Sequence, residues 1–432
     1  MMTKEAITRG AVSKGTGRQA PWKRLFIAAF SIILLTAGAI WLSLWWEDRP
    51  LRAIDSALDR GEYAEALDLA NDYLKENSSN ARVLDQKARA LAGLERWSEA
   101  LRLFELIGAD SLASQRAWAK ALLVHQRWNE ALPLLTRLNA LAPDDGDILH
   151  ELCACEAKLG YFDESLRAAE RLLALKGHER RGRLLLGTLH FRRGNNRLAI
   201  QAWLPLLEEG SDLSDLQITP SEFLLACGRA LLDDGRPADA LVQLVRSVRL
   251  NPTPEALDAL AEACDGLGDR KRAVSLWEQA VAQNSDDRPA REGLAQEALE
   301  RKSAPDAERW LEPLLSRPDL KSSTAFLAQR AATVAGNKEA AAKWAERVKA
   351  LREREKKIDS LEQVLRESPR SFWARCVRAH HFASEGNYSQ AQVLAEELLA
   401  QQPDEQYVRQ LADAIRNRQP LPPLDAIPLK QY

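Results

Sequence analysis

A period of about 34 residues runs through most of this chain. A small residue follows a loose glycine-x-aromatic pattern at ten places, and the successive spacings are 34, 31, 34, 34, 41, 33, 34, 34 and 50 residues. The ten small residues are Ala66, Ala100, Ala131, Ser165, Ala199, Ala240, Ala273, Ala307, Ala341 and Ala391. Such a period is typical of a chain built from stacked copies of one small structural unit.

Each repeated unit is predicted to form two helices joined by a short turn. Leu, Ala, Arg and Glu, which favour helices, dominate the sequence. Apolar residues of the first helix recur at helical spacing, as Leu149, Leu152 and Leu159 do. The second helix carries the small residue and, in most units, a large residue four positions later, such as Trp203 after Ala199. Because positions four apart share one helix face, the small residue lets two helices approach closely.

This pattern resembles the tetratricopeptide repeat (TPR). The residues that carry the resemblance are Leu186 and Gly187 with His190 at the tyrosine position, Ala100 with Phe104, and the helix-ending Pro143, Pro252 and Pro403. The resemblance covers about residues 50–415. It implies an all-α fold, a right-handed α-solenoid of about ten helical hairpins, with a concave groove that binds protein or peptide partners.

Two irregular spacings indicate departures from the regular repeat. The spacing of 41 holds an insertion near residues 208–219, which is predicted to be a loop on one rim. The spacing of 50 holds a long helix, or two helices joined without a full turn, and is expected to interrupt the superhelix. The predicted domains are a solenoid of about nine repeats over 50–350, a connector over 351–371, a final repeat with a capping helix over 372–418, and a Pro-rich, extended or frayed tail over 419–432.

The N-terminal segment has the pattern of a membrane signal-anchor. Residues 1–24 hold six basic residues and one acid, and residues 25–46 are uncharged. These 22 residues would make a helix of about 33 Å, enough to cross a bilayer. The basic tail predicts a cytoplasmic N-terminus and an extracytoplasmic, periplasmic repeat domain on a bacterial inner membrane. Two alternatives stay open, a signal peptide cleaved near Ala37-Gly38-Ala39 and a core helix.

Composition and motifs point away from nucleic-acid binding and catalysis. Lys and Arg number 60 against 62 Asp and Glu, so no overall basic field attracts nucleic acid. His150, Cys153 and Cys155 form the one Cys/His cluster in the sequence that resembles a metal-ligand set. The two thiols are predicted to be buried and structural. His380 and His381 are adjacent, so their rings face different ways on a helix. No catalytic, cofactor or metal site is predicted, and no small-molecule substrate.

The TPR resemblance implies which residues line the groove. In that family the first helix of each unit contributes roughly its second, fifth and ninth residues. At those positions the early units are basic and the later units acidic, which would orient a charged partner; ordinary solvated charge is the alternative reading. The predicted groove residues are Arg82, Arg89, Arg116, Lys120, His150, Arg181, Arg192, Arg229, Glu255, Asp258, Glu262, Asp265, Glu292 and Glu300. Some TPR co-chaperones bind the C-terminal carboxylate of a partner through a clamp of Lys and Asn residues. The corresponding positions here include Asp55 and Gln86, so this clamp is missing.

The sequence therefore predicts a non-enzymatic scaffold. It is similar to the membrane-anchored TPR proteins of bacterial envelope assembly, which implies one N-terminal membrane helix and protein or peptide partners. The alternatives are an accessory or regulatory subunit of a membrane-embedded enzyme or export machine, and an enzyme in its own right.

Overall fold

The computed structural model describes residues 49–208 and 218–428, which form 21 α-helices and one short 3₁₀ helix, with no strand in this part of the chain. The helices are α1 (Arg49–Asp59), α2 (Tyr63–Glu76), α3 (Ala81–Gly93), α4 (Trp97–Ile107), α5 (Leu112–Val124), α6 (Trp128–Leu141), α7 (Gly146–Lys158), α8 (Phe162–Ala174), α9 (Glu179–Arg192), α10 (Asn196–Glu208), α11 (Pro220–Asp233), α12 (Pro237–Leu250), α13 (Pro254–Gly266), α14 (Arg270–Gln283), α15 (Arg288–Glu300), α16 (Ala304–Leu315), α17 (Ser322–Val334), α18 (Lys338–Glu367), α19 (Phe372–Ser384), α20 (Tyr388–Gln401) and α21 (Gln406–Asn417).

The first 20 helices pair in chain order into ten hairpins, and α21 follows them as a single helix. Each of the ten small residues that define the period lies in the second helix of a hairpin. Nine of them are fully buried, and Ala341 is half-buried. A side chain of this size permits close helix contact at each of these points. The prediction of an all-helical, TPR-like solenoid is confirmed for the described residues.

The chain divides into two compact units, residues 1–109 and residues 110–432. The described part of unit 1 is α1–α4, and that of unit 2 is α5–α21. In unit 1, Ile54, Ala66, Val83 and Phe104 are fully buried. Gln86 is also buried, and its Nε2 donates to the main-chain oxygen of Leu51 at 3.0 Å, so it holds the first two hairpins together.

Trp203 is a central packing residue of unit 2. Its indole in α10 is 2% exposed and lies against Gly187 of α9, where an added Cβ atom would be 2.2 Å from the indole nitrogen. The indole Nε1 donates to the main-chain oxygen of Leu184 at 3.2 Å. The rings of Phe191 and Phe223 lie at centroid distances of 5.6 and 5.7 Å. The glycine at the TPR consensus position is therefore required by the tryptophan that covers it.

The long interval between the last two small residues is occupied by one continuous helix. Helix α18 has 30 residues and starts well before the predicted connector over 351–371. The Glu355 carboxylate accepts from the main-chain nitrogen of Ser322 at 2.9 Å and from its hydroxyl at 2.5 Å. The second half of α18 is thus fixed to the start of α17. The predicted insertion near 208–219 lies mostly outside the described residues.

The C-terminal tail packs onto helices α18, α19 and α21 over the residues that the structure describes. Ile427 is fully buried. Asp425 pairs with Arg354 of α18 at 3.3 Å, and the main-chain oxygen of Pro422 lies 3.0 Å from Nε2 of His380 in α19. The tail was expected to be frayed, but up to residue 428 it packs against the helices, because Ile427 is buried and the main-chain oxygen of Pro422 has hydrogen-bond partners.

The last hairpin of unit 2 returns to its first two hairpins and forms a contact that we call the seam. Its polar part joins α6 with α20: the main-chain nitrogen of Asn129 donates to Oε1 of Gln390 at 3.4 Å, and Asn387 Nδ2 donates to Gln126 Oε1 at 3.2 Å. Unit 2 is therefore closed by side chains that lie about 260 residues apart in sequence.

The charged part of the seam is centred on Tyr161, at the start of α8. The guanidinium groups of Arg370 and Arg378 lie 4.9 and 5.1 Å from the centre of its ring. Arg370 also pairs with Glu164 at 3.5 Å. These contacts of the seam are polar and cationic, whereas successive hairpins are joined by extensive clusters of buried apolar residues. The seam is therefore expected to be the weakest interface of unit 2.

Replacing Tyr161 with alanine is expected to shift unit 2 toward an open seam. Two cation–ring contacts are lost, each worth about 0.5–1 kcal/mol, so the open-to-closed ratio rises about 5- to 30-fold. The measurement is the rate of disulfide formation in a Gln126→Cys/Asn387→Cys variant, which should fall on adding Tyr161→Ala. Phe326→Ala is the matched control, because Arg352 covers that ring at 5.8 Å away from the seam. Equal crosslinking rates in both backgrounds would contradict the prediction.

No helix within residues 49–208 and 218–428 combines the length and the apolar character needed to span a bilayer. This finding contradicts the predicted localisation, a single-pass protein of the inner membrane with its repeats outside. The predicted tail over 1–24 and anchor over 25–46 lie outside the described residues.

Candidate partner-binding groove

The two predicted groove residues of unit 1 converge on one acid. Arg82 Nη2 lies 3.3 Å from Oδ2 of Asp55, and Arg89 Nη1 lies 3.6 Å from its Oδ1. Both arginines are in α3, and Asp55 is in α1. The structure therefore brings the two together, but part of their charge is neutralised by an acid of the preceding hairpin.

The basic residues at the start of unit 2 form a ladder with two acids. Arg116 in α5 reaches Asp145 at 2.9 Å and Asp147 at 3.4 Å, and Arg181 in α9 reaches Asp147 at 2.9 Å. Asp145 also caps α7, since its carboxylate accepts from the main-chain nitrogen of Ile148 at 3.1 Å. Three successive first helices are thus linked by ion pairs, and the two arginines are not free for a partner.

The other basic groove residues occupy different settings. Lys120 is exposed on α5, and His150 is half-buried on α7. Burial, reinforced by the positive charge of Arg181, lowers the pKa of His150. Arg192 lies at the end of α9 and faces away from this ladder toward the seam, where it lines a cavity of about 150 Å³ with Arg378.

Helix α13 is acidic along its length. Its four charged residues are Glu255, Asp258, Glu262 and Asp265, with no Lys or Arg. The helix begins after Thr253, whose hydroxyl accepts from the main-chain nitrogen of Ala256 at 3.3 Å. Glu255 and Glu262 are exposed, Asp265 is half-exposed, and none of the three forms an ion pair within the described residues. Residues seven apart share a helix face, so Glu255 and Glu262 lie on the same side of α13; partial burial raises the pKa of Glu262, although much of the residue is exposed.

Asp258 differs from its neighbours because it is buried against a second acid. Asp258 and Asp287 are 5% and 6% exposed. Asp287 caps α15, and its Oδ1 accepts from the main-chain nitrogen of Ala290 at 3.1 Å. Burial, followed by the hydrogen bond and charge of Asp287, raises the pKa of Asp258 to about 8. The pair therefore holds a proton near neutral pH.

The remaining acidic groove residues bind to neighbouring helices. Glu292 in α15 accepts from the hydroxyls of Ser323 and Thr324 at the start of α17. Glu300 pairs with Arg270 of α14 at 2.5 Å. These two acids contribute to the packing of successive hairpins, and α13 is left with the exposed, unpaired carboxylates.

Arg229 in α11 is the basic residue next to α13. Its Nη2 donates to the main-chain oxygen of Glu255 at 3.3 Å and forms no ion pair with a carboxylate within the described residues.

Sequence reasoning missed the acids that partner the predicted residues. Asp145, Asp147 and Asp287 are not among the predicted groove residues, and Asp55 is named from sequence only as a replaced position of the carboxylate clamp. One signal was available, because Asp147 lies 34 residues before Arg181 and so occupies the same position of the repeat. The cap residues Asp145 and Asp287 gave no comparable signal, since aspartate before a helix is ordinarily read as a cap alone.

The cysteines have the character that the sequence predicts. All five are free and buried. Burial raises the pKa of Cys153 to about 11, and of Cys155 and Cys376 to about 12, so these thiols stay protonated at neutral pH. No group of three or more potential metal ligands occurs in the described part of the chain.

An apolar cavity of unit 2 lies apart from the predicted groove residues. It has a volume of about 390 Å³ and lies between α10, α11 and α12, lined by Leu206, Leu207, Pro220, Leu224, Arg246, Arg249 and Leu250. None of the predicted groove residues lines it, so it does not identify the partner surface.

Comparison with known proteins supports the repeat type. The sequence model of the tetratricopeptide-repeat family matches residues 156–212. A stretch of 179 residues is 26% identical to Cellulose synthase operon protein C of Escherichia coli (strain K12); the match covers 38% of this chain and 16% of that protein. This chain therefore spans less than a fifth of the curated relative that it matches.

The solved structures that match this chain have low sequence identity to it and TM-scores below 0.5. A tetratricopeptide repeat protein from Parabacteroides merdae is 14% identical with a TM-score of 0.39, over 57% of this chain and 96% of that one. The structure of Naa15/Naa10 bound to HypK-THB is 15% identical with a TM-score of 0.36, over 86% of this chain and 66% of that one. The family match over residues 156–212 and the ten hairpins together support a helical-repeat protein of the tetratricopeptide type.

Proposed function

We propose that this protein is a non-catalytic scaffold that binds a basic segment of a protein partner on helix α13. The observation that carries the proposal is the charge of that helix: four acids, no basic residue, and exposed carboxylates on Glu255 and Glu262 without an ion-pair partner among the described residues. The early arginines Arg116 and Arg181 are already paired. The exposed acids of α13 are therefore the groove charges that we expect a basic partner to meet.

The general properties of the fold agree with a scaffold. Stacked helical hairpins offer extended surfaces to protein partners and are typically non-catalytic. A row of unpaired carboxylates raises the rate at which a basic segment is captured, and the effect weakens with salt.

A charge-matched peptide pair tests the proposal. We expect the 432-residue chain to bind a short fluorescent arginine-containing peptide more tightly than a glutamate-containing peptide of equal length, measured by fluorescence anisotropy. In a Glu255→Gln/Glu262→Gln variant, two surface ion pairs of about 0.2–1 kcal/mol each are lost, so affinity should fall about 2- to 30-fold.

The control variant changes the net charge by the same amount but at two residues outside α13. Glu278 and Glu308 are exposed on the second helices α14 and α16, so Glu278→Gln/Glu308→Gln should leave the affinity unchanged. Equal loss in both double variants, or equal binding of the two peptides at low salt, would contradict a site on α13.

The wider setting of the scaffold is a further proposal. We infer an accessory role beside a larger assembly or export machine, and its support is the 26% identity to part of an operon protein of cellulose synthase. Co-purification of a machine component that is lost in the Glu255→Gln/Glu262→Gln variant, and kept in the control variant, would support this role. Equal recovery with both variants would contradict it.

A further inference from the structure

Two pairs of residues occupy the same places in different repeats of unit 2. Arg116 lies in α5 and Asp145 caps α7, the next first helix; Asp258 lies in α13 and Asp287 caps α15, the next first helix. Each pair is separated by 29 residues. A first-helix side chain thus reaches the cap of the following first helix in both repeats.

The two pairs differ in charge. In the first repeat a guanidinium meets the cap carboxylate at 2.9 Å. In the later repeat, an acid occupies the position of the arginine, so two buried carboxylates face each other. Oδ1 of Asp258 is buried and has no hydrogen-bond donor among the described residues. Two adjacent buried carboxylates are costly when both are charged, so the free pair holds a proton, and a bound cation would take the place of that proton.

The charged groups around the acid pair do not supply this cation. Besides Asp287, the groups that face Asp258 are Arg229 of α11 and Glu255 of its own helix. Arg229 donates to the main-chain oxygen of Glu255 and forms no ion pair with Asp258. Glu255 adds a second negative charge at the same place.

We propose that Asp258 and Asp287 form a receptor for one arginine side chain of the basic partner. The bound guanidinium would bridge both carboxylates and take the role that Arg116 has at Asp145. This inference rests on the proposed function and deepens it, because it names the residue type that anchors the partner. A guanidinium suits two carboxylates, since its fork of N–H donors can bond both.

Binding at this receptor releases a proton to solvent. The free pair holds one proton near neutral pH, and the arriving guanidinium replaces it as the positive partner. With a pKa of about 8, about 0.9 proton should be released per bound arginine at pH 7. For the same reason, binding should be about fivefold tighter at pH 8 than at pH 7.

Titration calorimetry on the 432-residue chain tests this proton release. The arginine-containing peptide is titrated at pH 7 in buffers of different ionisation enthalpy, which gives the number of protons released. The wild-type protein should release about 0.9 proton, and Asp258→Asn should release none. The Glu255→Gln/Glu262→Gln variant should bind more weakly and still release a proton. Asp258→Arg, which recreates the arrangement of Arg116, should also abolish the release.

A second arm separates failure of the receptor from failure of the peptide site. Methylguanidinium chloride is added to the protein, and the carboxyl carbon of Asp258 is followed by NMR as pH is varied, with sodium chloride as the control. Methylguanidinium should lower the apparent pKa of the pair, and sodium should not.

The two arms give distinct outcomes. Peptide binding without proton release, and no effect of methylguanidinium, would overturn the receptor and leave the proposed function standing. A methylguanidinium effect without any peptide binding would overturn the proposed function and support the receptor. Absence of both would overturn both.

Discussion

Replacing Trp203 with alanine is expected to lower the free energy of unfolding of unit 2 by about 3–5 kcal/mol. The indole is 2% exposed, packs between two aromatic rings and donates a hydrogen bond to Leu184. Its removal leaves a cavity and takes away one donor of the Leu184 main-chain oxygen, which still accepts from the Thr188 hydroxyl at 2.8 Å, so the cavity accounts for most of the loss. The measurement is urea unfolding followed by circular dichroism. Leu204→Ala is the control, since that side chain is 45% exposed and should cost less than about 1 kcal/mol.

A double-mutant cycle identifies the contact responsible. Gly187→Ala alone should destabilise by about 1–3 kcal/mol, because the new methyl group meets the indole. In the Trp203→Ala background the same methyl group enters empty space, so the double variant should be more stable than the sum of the single losses by about 0.5–3 kcal/mol. Simple additivity would show that the two residues do not interact.

Stability that depends on Asp258 should fall as pH rises. The folded protein holds a proton on this carboxyl up to a pKa of about 8, whereas the unfolded chain releases it near its ordinary value of 3.8. The stabilisation is therefore complete below about pH 4 and is lost as pH rises through about 8. Between pH 6 and 9 the loss should be about 2–3 kcal/mol.

The Asp258→Asn variant should lack this loss. Its amide can donate to Asp287 at every pH, so the variant should match the stability of the wild-type protein below about pH 4 and become increasingly more stable than it as pH rises to 9. The measurement is the free energy of unfolding of both proteins at several pH values. Asp265→Asn, on the same helix, is the matched control and should follow the wild-type profile. Parallel profiles for the wild-type protein and Asp258→Asn would rule out the buried proton.

The repeat could be predicted from sequence because its packing rule is local. A small residue such as Ala199 and a large one such as Trp203 lie on one helix face, and their spacing recurs with every hairpin. Each local pattern agrees with the fold it belongs to, so the positions of the second helices followed directly.

The groove could be predicted only in part. Residues such as Arg116 and Glu255 have the expected charge and lie on first helices. Whether a charged groove residue has an ion-pair partner depends on a residue in the adjacent repeat. That partner residue has a second role, which conceals the pairing in the sequence. Asp145 and Asp287 are helix caps as well as ion or proton partners, and a one-dimensional reading assigns them only the first role.

The seam and the docked tail had no periodic signal at all. Tyr161 meets Arg370 and Arg378 because the accumulated rotation of the intervening hairpins returns the chain to its start, and no short window of sequence contains that information. The tail buries a single apolar residue, Ile427. One apolar residue in the sequence is not enough to predict that a C-terminal segment packs against the fold and does not fray.

The seam also restricts how this architecture can change over evolutionary time. Open arrays of helical hairpins gain and lose whole repeats readily, because each repeat contacts only its neighbours. In unit 2, duplication or deletion of one hairpin would carry Arg370 and Arg378 past Tyr161 by the rotation of a full repeat, and the closing contacts would no longer meet. The number of hairpins between the two sides of the seam is therefore fixed by closure, while insertions between helices remain compatible with it.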